Sequence, residues 1–350
     1  MRIALIHTQY RRKGGAETYF LDLVHGFAAQ GHQVDVFVFK QDRQEPVPTS
    51  VTVHCWRRSW YPKPLRKWCF ARWVKKQLAR QHYDLTIANT RTMGQQLMIC
   101  GGCHAAYLER LSKQPTWRDR VELALETQAY DSSACIIAHS KQVGRELAQH
   151  YPQIAHKIRV VYPPCDTQRF RLQPAKTALR IRDSLNVSGQ KTVLLFPASG
   201  NPKMKGLDLL LDAFAQLPTD RYVLWLAGSD LKTSHPNVQA LGFVSHMPEL
   251  MAAADFVVLP SYYEAFGLVI IEALACGTPV IASAQVGATE LLTPECGLVY
   301  DTQDATVLVQ AIETAMKTRF TIEANFCQSQ QLTIDQHLTQ LQQIAQECTA

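Results

Sequence analysis

The feature that most limits how this chain folds is an alternation of short apolar runs with helix-period segments, which halts at Tyr162-Pro163-Pro164 and then starts again. The chain opens on a largely apolar run, Arg2 to His7, followed by a glycine-containing loop. Tyr19, Phe20, Leu23, Val24 and Phe27 then recur at helical spacing as far as Gly31, and Val34 to Phe39 is the next apolar run. Together these spell a βαβ unit. Leu85 to Ala88 and Cys135 to Ala138 repeat the strand pattern between helical segments. Runs that are apolar throughout belong to strands covered on both faces, as in a doubly wound parallel sheet. The first domain is expected to end near Val161.

A polar, weakly patterned stretch leads to Gln190, and the alternation resumes with strand Thr192 to Pro197, helix Leu207 to Leu217 and strand Tyr222 to Ala227. Val238 to Leu241, a helix from Met247 to Ala254, Phe256 to Leu259, a helix through Glu272, and Pro279 to Ala282 continue it. Length agrees, since 350 residues suit two domains of roughly 150 to 200 residues. In the last segment, Thr333 to Glu347, the spacing of Ile334, Leu338, Leu341 and Ile344 predicts one amphipathic helix. No solenoid repeat is visible.

Hydrophobic residues make up 47% of the chain, yet none of its segments approaches the roughly 18 apolar residues of a membrane span. The start, MRIALIH, is soon followed by Arg11-Arg12-Lys13 and does not read as a signal peptide. The ten cysteines are scattered among apolar neighbours, as reduced cytoplasmic thiols would be. Cys100-Gly-Gly-Cys103 has CxxC spacing but no second Cys or His pair at zinc-finger distance, so two small residues beside a loop is the preferred reading over metal or redox work. No metal site is expected.

The chemistry concentrates in Pro260-Ser-Tyr-Tyr-Glu264-Ala-Phe-Gly-Leu-Val-Ile-Ile-Glu272-Ala-Leu-Ala-Cys-Gly-Thr-Pro-Val280. Were most of Glu264 to Glu272 helical, a rise of about 1.5 Å per residue would part the two carboxylates by roughly 12 Å, comparable with the reach from a sugar to a ribose across a diphosphate. The amides of Gly267, Leu268 and Val269 would open that helix and favour a phosphate. Glu264 would then accept from sugar hydroxyls and Glu272 from the ribose. A helix with one solvent-facing and one capping glutamate is the alternative. Gly14 and Gly15 stand after the first strand and before a helix, where α/β folds bind ligands and a missing Cβ admits an oxyanion. Lys205 is the natural cation for a leaving diphosphate, with Lys203 beside it.

These segments resemble, in order, the retaining glycosyltransferases of family 4, enzymes of GT-B fold. Glu264 to Glu272 is similar to the family's E-x7-E signature, Gly14-Gly15-Ala16-Glu17 to its glycine-rich loop, and Val160 to Phe170 to its interdomain segment. Lys205-Gly206-Leu207-Asp208 resembles its K-G-x-D element, and Leu241 to Asp255 its base-binding region. The resemblance implies two Rossmann-like doubly wound domains facing across a cleft, with the C-terminal helix crossing back to the first. An N-terminal acceptor-binding domain would comprise 1–163 plus about 333–350, and a C-terminal nucleotide-sugar domain 164–332. It assigns catalysis to Glu264, His104 and Lys205. Donor binding falls to Gly14, Gly15, Lys203, Lys205, Phe266, Gly267, Leu268, Val269 and Glu272, with the base held around Gly242, Phe243 and Val244. Glu109, Arg110 and His139 are weaker candidates. Relatives carry an Arg shortly before the Lys; here the stretch reads Ser199-Gly-Asn-Pro-Lys-Met-Lys205, which leaves the second cation open.

The implied activity is a retaining, metal-independent transfer of a hexose, with UDP-glucose as the expected donor and no further cofactor, to a saccharide or lipid-linked acceptor such as the lipopolysaccharide core. Another bacterial glycan with a GDP- or other UDP-sugar, an epimerase, a phosphorylase, and a non-catalytic sugar-nucleotide scaffold are the alternatives. The net charge of +6 is uneven, because Pro46 to Tyr83 contains neither Asp nor Glu. There Trp56, Trp60, Trp68 and Trp73 are interleaved with Arg57, Arg58, Lys63, Arg66, Lys67, Arg72, Lys75, Lys76 and Arg80. Residues 56–80 therefore suit an anionic membrane surface, which the resemblance implies is the cytoplasmic face of an inner membrane, with Trp117-Arg118-Asp119-Arg120 adding to the patch. An ordinary helix with core-filling tryptophans is the competing reading. No nucleic acid partner is expected.

Overall fold

The structure is a computed structural model that describes residues 1–12, 14–56, 63–110, 112–187, 189–197, 201–228 and 235–349, with the backbone alone at 63, 64 and 349. Arg57, Arg58 and Trp60 lie outside the described residues, as do Ser199, Gly200 and the side chain of Lys63. The chain divides into two compact units, Met1–Pro164 with Ile334–Ala350, and Cys165–Thr333.

The first unit runs β1 (Arg2–Ile6), β2 (Gln9–Tyr10), α1 (Gly15–Ala29), β3 (Gln33–Val38), β4 (Lys40–Gln41), β5 (Val51–Cys55), α2 (Lys63–Leu78), β6 (Leu85–Ala88), β7 (Leu97–Cys100), α3 (His104–Arg110), α4 (Trp117–Ser132), β8 (Cys135–Ala138), α5 (Lys141–His150) and β9 (Ile158–Val160). Among the described residues, seven of the strands form one parallel sheet in the order β5-β3-β1-β6-β7-β8-β9, and β2 pairs separately with β4. The order reverses between β1 and β6, which makes their carboxyl ends the switch point where such folds take ligands. Ile3, Leu5, Ile87, Leu97 and Ile137 bury themselves against Phe20, Leu23, Val24 and Phe27 of α1.

The second unit runs α6 (Ala175–Ser184), β10 (Thr192–Pro197), α7 (Leu207–Phe214), β11 (Tyr222–Ala227), β12 (Val238–Gly242), α8 (Met247–Ala253), β13 (Phe256–Leu259), α9 (Leu268–Ala275), β14 (Val280–Ser283), β15 (Gly297–Tyr300), α10 (Ala305–Lys317) and α11 (Phe326–Ser329). Its parallel sheet has the order β12-β11-β10-β13-β14-β15, with the reversal between β10 and β13. The unit's two ends are tied together where Cys165 N donates to Leu332 O at 2.8 Å. The chain then returns to the first unit as α12 (Ile334–Thr349), whose Leu338, Leu341 and Ala345 enter that unit's core.

The architecture is the doubly wound α/β pair expected from the alternation, with several differences in detail. Helix α7 ends at Phe214 rather than Leu217, because Pro218 disfavours helical backbone at the residue before it. Helix α9 begins only at Leu268, so Glu264 to Gly267 is not helical. Instead Glu264 forms an isolated parallel bridge with Val286. Strands β5, β7, β9 and β15 were not foreseen. Beta-9 has three residues, two of them exposed, and offers little apolar pattern.

Candidate functional site

In the second unit the predicted residues gather at the carboxyl edge of the sheet. Beyond β10, residues 201–206 form a tight turn in which Lys205 N donates to Asn201 O and Gly206 N to Lys203 O. Gly206 has φ +75, and a Cβ there would meet Pro260 O at 2.0 Å. Only glycine allows this turn to press on the chain leaving β13. That chain is held in return, since Tyr262 N donates to Met204 O at 3.0 Å and Tyr262 Oη to Asp208 at 3.2 Å. The outcome is an ion pair, Lys205 Nζ to Glu264 Oε2 at 3.9 Å, with the side chains 15% and 28% exposed.

Glu264 is fixed through its backbone: its N–H donates to Gln285 O, and its carbonyl accepts from Gly287 N. Phe266 is buried and accepts from Ala288 N through its carbonyl. Gly267, in left-handed conformation, caps α9, so the amides of Leu268 and Val269 form the start of that helix. The first N–H groups of a helix lack partners of their own and favour an anion. With only Leu268 to Glu272 helical, the rise over that stretch is about 6 Å, and the straight-helix estimate of the carboxylate separation does not apply.

Glu272 lies on α9, one turn before Cys276. Burial pushes the Cys276 thiol up to about 12, with the Glu272 charge the next cause, which puts this carboxylate near Cys276. Gly242 closes β12 with φ +63 and accepts from Gly228 N at 2.7 Å. Phe243 follows at 86% exposure and Val244 is half-buried. Lys203 is exposed in the same turn as Lys205. Thus the fold joins Lys205 to Glu264 directly and sets Gly242 to Val244 two strands away on the same edge.

In the first unit, Gly14 caps α1 in extended conformation just beyond β1. A Cβ on Gly14 would lie 2.8 Å from Glu17 Oε2, so the helix start already holds an anion, its own Glu17. His104 opens α3, two strands along from β1 on the same edge. Its Nε2 lies 3.0 Å from Asp119 Oδ1, and its backbone N–H donates to both oxygens of Glu126 at 3.1 and 3.2 Å. Glu126 is 0% exposed and also receives Arg91 Nε and Nη2, Tyr130 Oη and Tyr151 Oη. Thr116, at the helix start, and then His104 hold the Asp119 carboxyl below the usual carboxylate range.

The sequence reading missed Asp119, Glu126 and Arg91 as supports of His104. One signal was available, since Thr116-x-x-Asp119 is a capping pattern and the structure contains the full capping box. Glu109 pairs with His150 at 3.0 Å and Arg110 with Glu146, so both brace helices. His139 is buried against Tyr19, and burial lowers its pKa to about 4. Burial likewise pushes Cys100 to about 11 and Cys103 to about 12, which leaves both as inert thiols at neutral pH. All ten cysteines are free.

The basic stretch is less amphipathic than its sequence suggests. Trp56 is buried against Phe39 and Phe70, Trp73 packs on Phe37 and Phe70, and Trp68 joins a cluster with Ala71 and Leu125. Trp56 is thus buried and Trp68 and Trp73 are half-buried against apolar neighbours, a packing that favours the ordinary-helix reading. Arg72, Lys75, Lys76 and Arg80 stay exposed, and Lys67 pairs with Glu122 at 2.7 Å. Trp117 is 58% exposed, with Arg118 over its ring. Among the described residues no helix is long and apolar enough to cross a membrane, and no cluster of His, Cys, Asp and Glu suits a metal ion.

Residues 178–329 match the family of glycosyl transferases group 1, and residues 13–169 match Glycosyltransferase Family 4. A probable transglycosylase of Burkholderia thailandensis is 30% identical over 317 residues, covering 91% of this chain and 87% of its own. The lipopolysaccharide glucosyltransferase WaaG of Escherichia coli is 24% identical over 330 residues, 85% of each chain. Among solved structures, HepE of Anabaena in complex with UDP and glucose superposes with TM-score 0.75 at 23% identity, over 97% of this chain and 98% of that one.

Proposed function

The chain belongs to the family 4 glycosyltransferases of GT-B fold, and on that premise we propose that it moves a hexose, glucose by preference, from a UDP-sugar to a saccharide or lipid-linked acceptor of the lipopolysaccharide-core kind. The observation that carries this reading is the Lys205–Glu264 pair at the carboxyl edge of the second unit's sheet, beside the opening turn of α9. A lysine next to open helix amides suits a departing diphosphate, whose charge grows as the glycosidic bond breaks. Glu264, held by two backbone hydrogen bonds, is the acceptor for sugar hydroxyls.

In this reading Phe266, Gly267, Leu268 and Val269 line the phosphates, Lys203 adds charge, and Gly242, Phe243 and Val244 receive the base. Glu272 takes the ribose. Gly14 and Gly15 contact a phosphate oxygen once Glu17 turns aside, and His104 faces the sugar. The acceptor attacks from the face the phosphate leaves, which retains configuration without a protein nucleophile or a metal ion. The protein orients the reactants, stabilises the leaving group and excludes water.

The test is to incubate the full chain with UDP- and GDP-sugars, with and without a lipopolysaccharide-core acceptor and with chelator present, and to follow nucleotide release and sugar transfer. Transfer from UDP-glucose with the α-linkage preserved is the expected result. Binding without turnover across acceptors would favour a scaffold instead.

Docking to an anionic membrane surface belongs to the same proposal in reduced form. Its support is the exposed cations Arg72, Lys75, Lys76 and Arg80, with Trp117 and Arg118, rather than Trp56, Trp68 and Trp73, which pack on apolar neighbours. Co-sedimentation should favour liposomes containing anionic lipid over neutral ones, and equal binding to both would remove this part.

A further inference from the structure

His104 is held twice by carboxylates from α4, at its backbone by Glu126 and at its ring by Asp119. The two oxygens of Asp119 have separate duties. Oδ1 meets His104 Nε2 at 3.0 Å, while Oδ2 accepts from Thr116 N at 2.9 Å and from Thr116 Oγ1 at 2.6 Å. The start of α4 therefore sets the carboxylate's orientation before the imidazole is considered. An ionised carboxylate has no hydrogen to give, so the hydrogen in the contact belongs to the ring. Neutral imidazole carries one N–H, and its place on Nε2 leaves Nδ1 as a bare acceptor. Tyr107, one turn along α3, stacks on the same ring at 5.9 Å between centroids.

Resting on the reading of His104 as a group that faces the donor sugar, we propose that Asp119 is a positioning residue for the transfer. By taking the Nε2 hydrogen it locks His104 in one tautomer and one orientation, with Nδ1 ready to accept a hydrogen bond from a sugar hydroxyl. Without Asp119 the imidazole exchanges tautomers, and for part of the time it presents N–H where the hydroxyl needs an acceptor. Glu126 serves the same end through the backbone, because its buried carboxylate anchors the first N–H of α3. Supports of this kind fix a working side chain more closely than its own rotamer preference does.

Two measurements on the full chain test the proposal. In the first, nitrogen-15 histidine spectra at neutral pH, with His104 identified by its loss in His104→Ala, should show His104 protonated on Nε2 and a mixture of tautomers in Asp119→Ala. A wild-type His104 protonated on Nδ1 would overturn the positioning role alone. In the second, UDP release from UDP-glucose is compared for His104→Ala, Asp119→Ala and the double variant. Asp119→Ala should lose about tenfold in kcat, the worth of one hydrogen bond, with KM within about twofold. The double variant should be no slower than His104→Ala, because Asp119 acts through that ring. An equal loss from Asp119→Ala in the His104→Ala background would mean that Asp119 serves only the fold. His104→Ala turning over at the wild-type rate would overturn the donor-facing reading, and the proposal with it, while the spectra would still report on the ring.

Discussion

Lys205 and Glu264 neutralise each other at 3.9 Å while both remain partly exposed, a kind of pair that adds less than about 1 kcal/mol to stability. Removing the lysine should therefore separate activity from folding. Lys205→Ala is expected to keep its unfolding free energy within about 1 kcal/mol of the parent and to lose roughly 10²- to 10³-fold in kcat for UDP release, as when a developing oxyanion loses its partner. Gly206→Ala should behave in the opposite manner. Its methyl has no room beside Pro260 O, and the left-handed backbone penalises any Cβ, so a loss of at least about 2 kcal/mol is expected in urea unfolding. A Gly206→Ala protein as stable as the parent would show that the turn can move.

At the scale of elements, α1 and α12 approach closely because Gly26 stands between them. A Cβ at Gly26 would come 2.7 Å from Leu338 Cδ1, the end of a flexible side chain, and 3.0 Å from Ile334 Cγ1, a tight contact that needs only a small give. Gly26→Ala should thus be nearly neutral, the gain in helix propensity offsetting a small shift of Leu338. Gly26→Ile should cost about 1–3 kcal/mol, and urea unfolding of the two variants measures the difference. Burial on both faces made the continuous apolar runs of β1, β10 and β13 legible, although β7, four residues long and equally buried, was missed. Edge strand β5 pairs only with β3 in its sheet and interleaves Thr52 and His54 with apolar residues, so the same signal fails. Lys205, Glu264 and the opening of α9 could be read from motifs because each is local in sequence. The Arg91–Glu126–His104 network could not. Its members are drawn from three elements or loops, and only folding makes their charges meet.

For the whole molecule, the buried histidines His7, His139 and His337 all fall in the first unit. Burial lowers the pKa of each, from 6.5 to about 4 at His139 and about 3 at His337. Between these folded values and 6.5 the unfolded chain binds more protons, so stability rises with pH through that window and falls on acidification. His139 alone should contribute a loss of about 2 kcal/mol on going from neutral to about pH 5. Calorimetry should find the first unit's transition shifting down before the second's, and a pH-independent first transition between 7 and about 5 would contradict the neutral burial of these rings. The return of α12 to the first unit also sets an order of events during synthesis. Residues 165–333 can leave the ribosome and close their own sheet while the amino-terminal core still lacks Leu338, Leu341 and Ala345. The segment translated first is therefore the last to be finished, and until then the α1 groove that receives those side chains is the surface a nascent-chain chaperone would find.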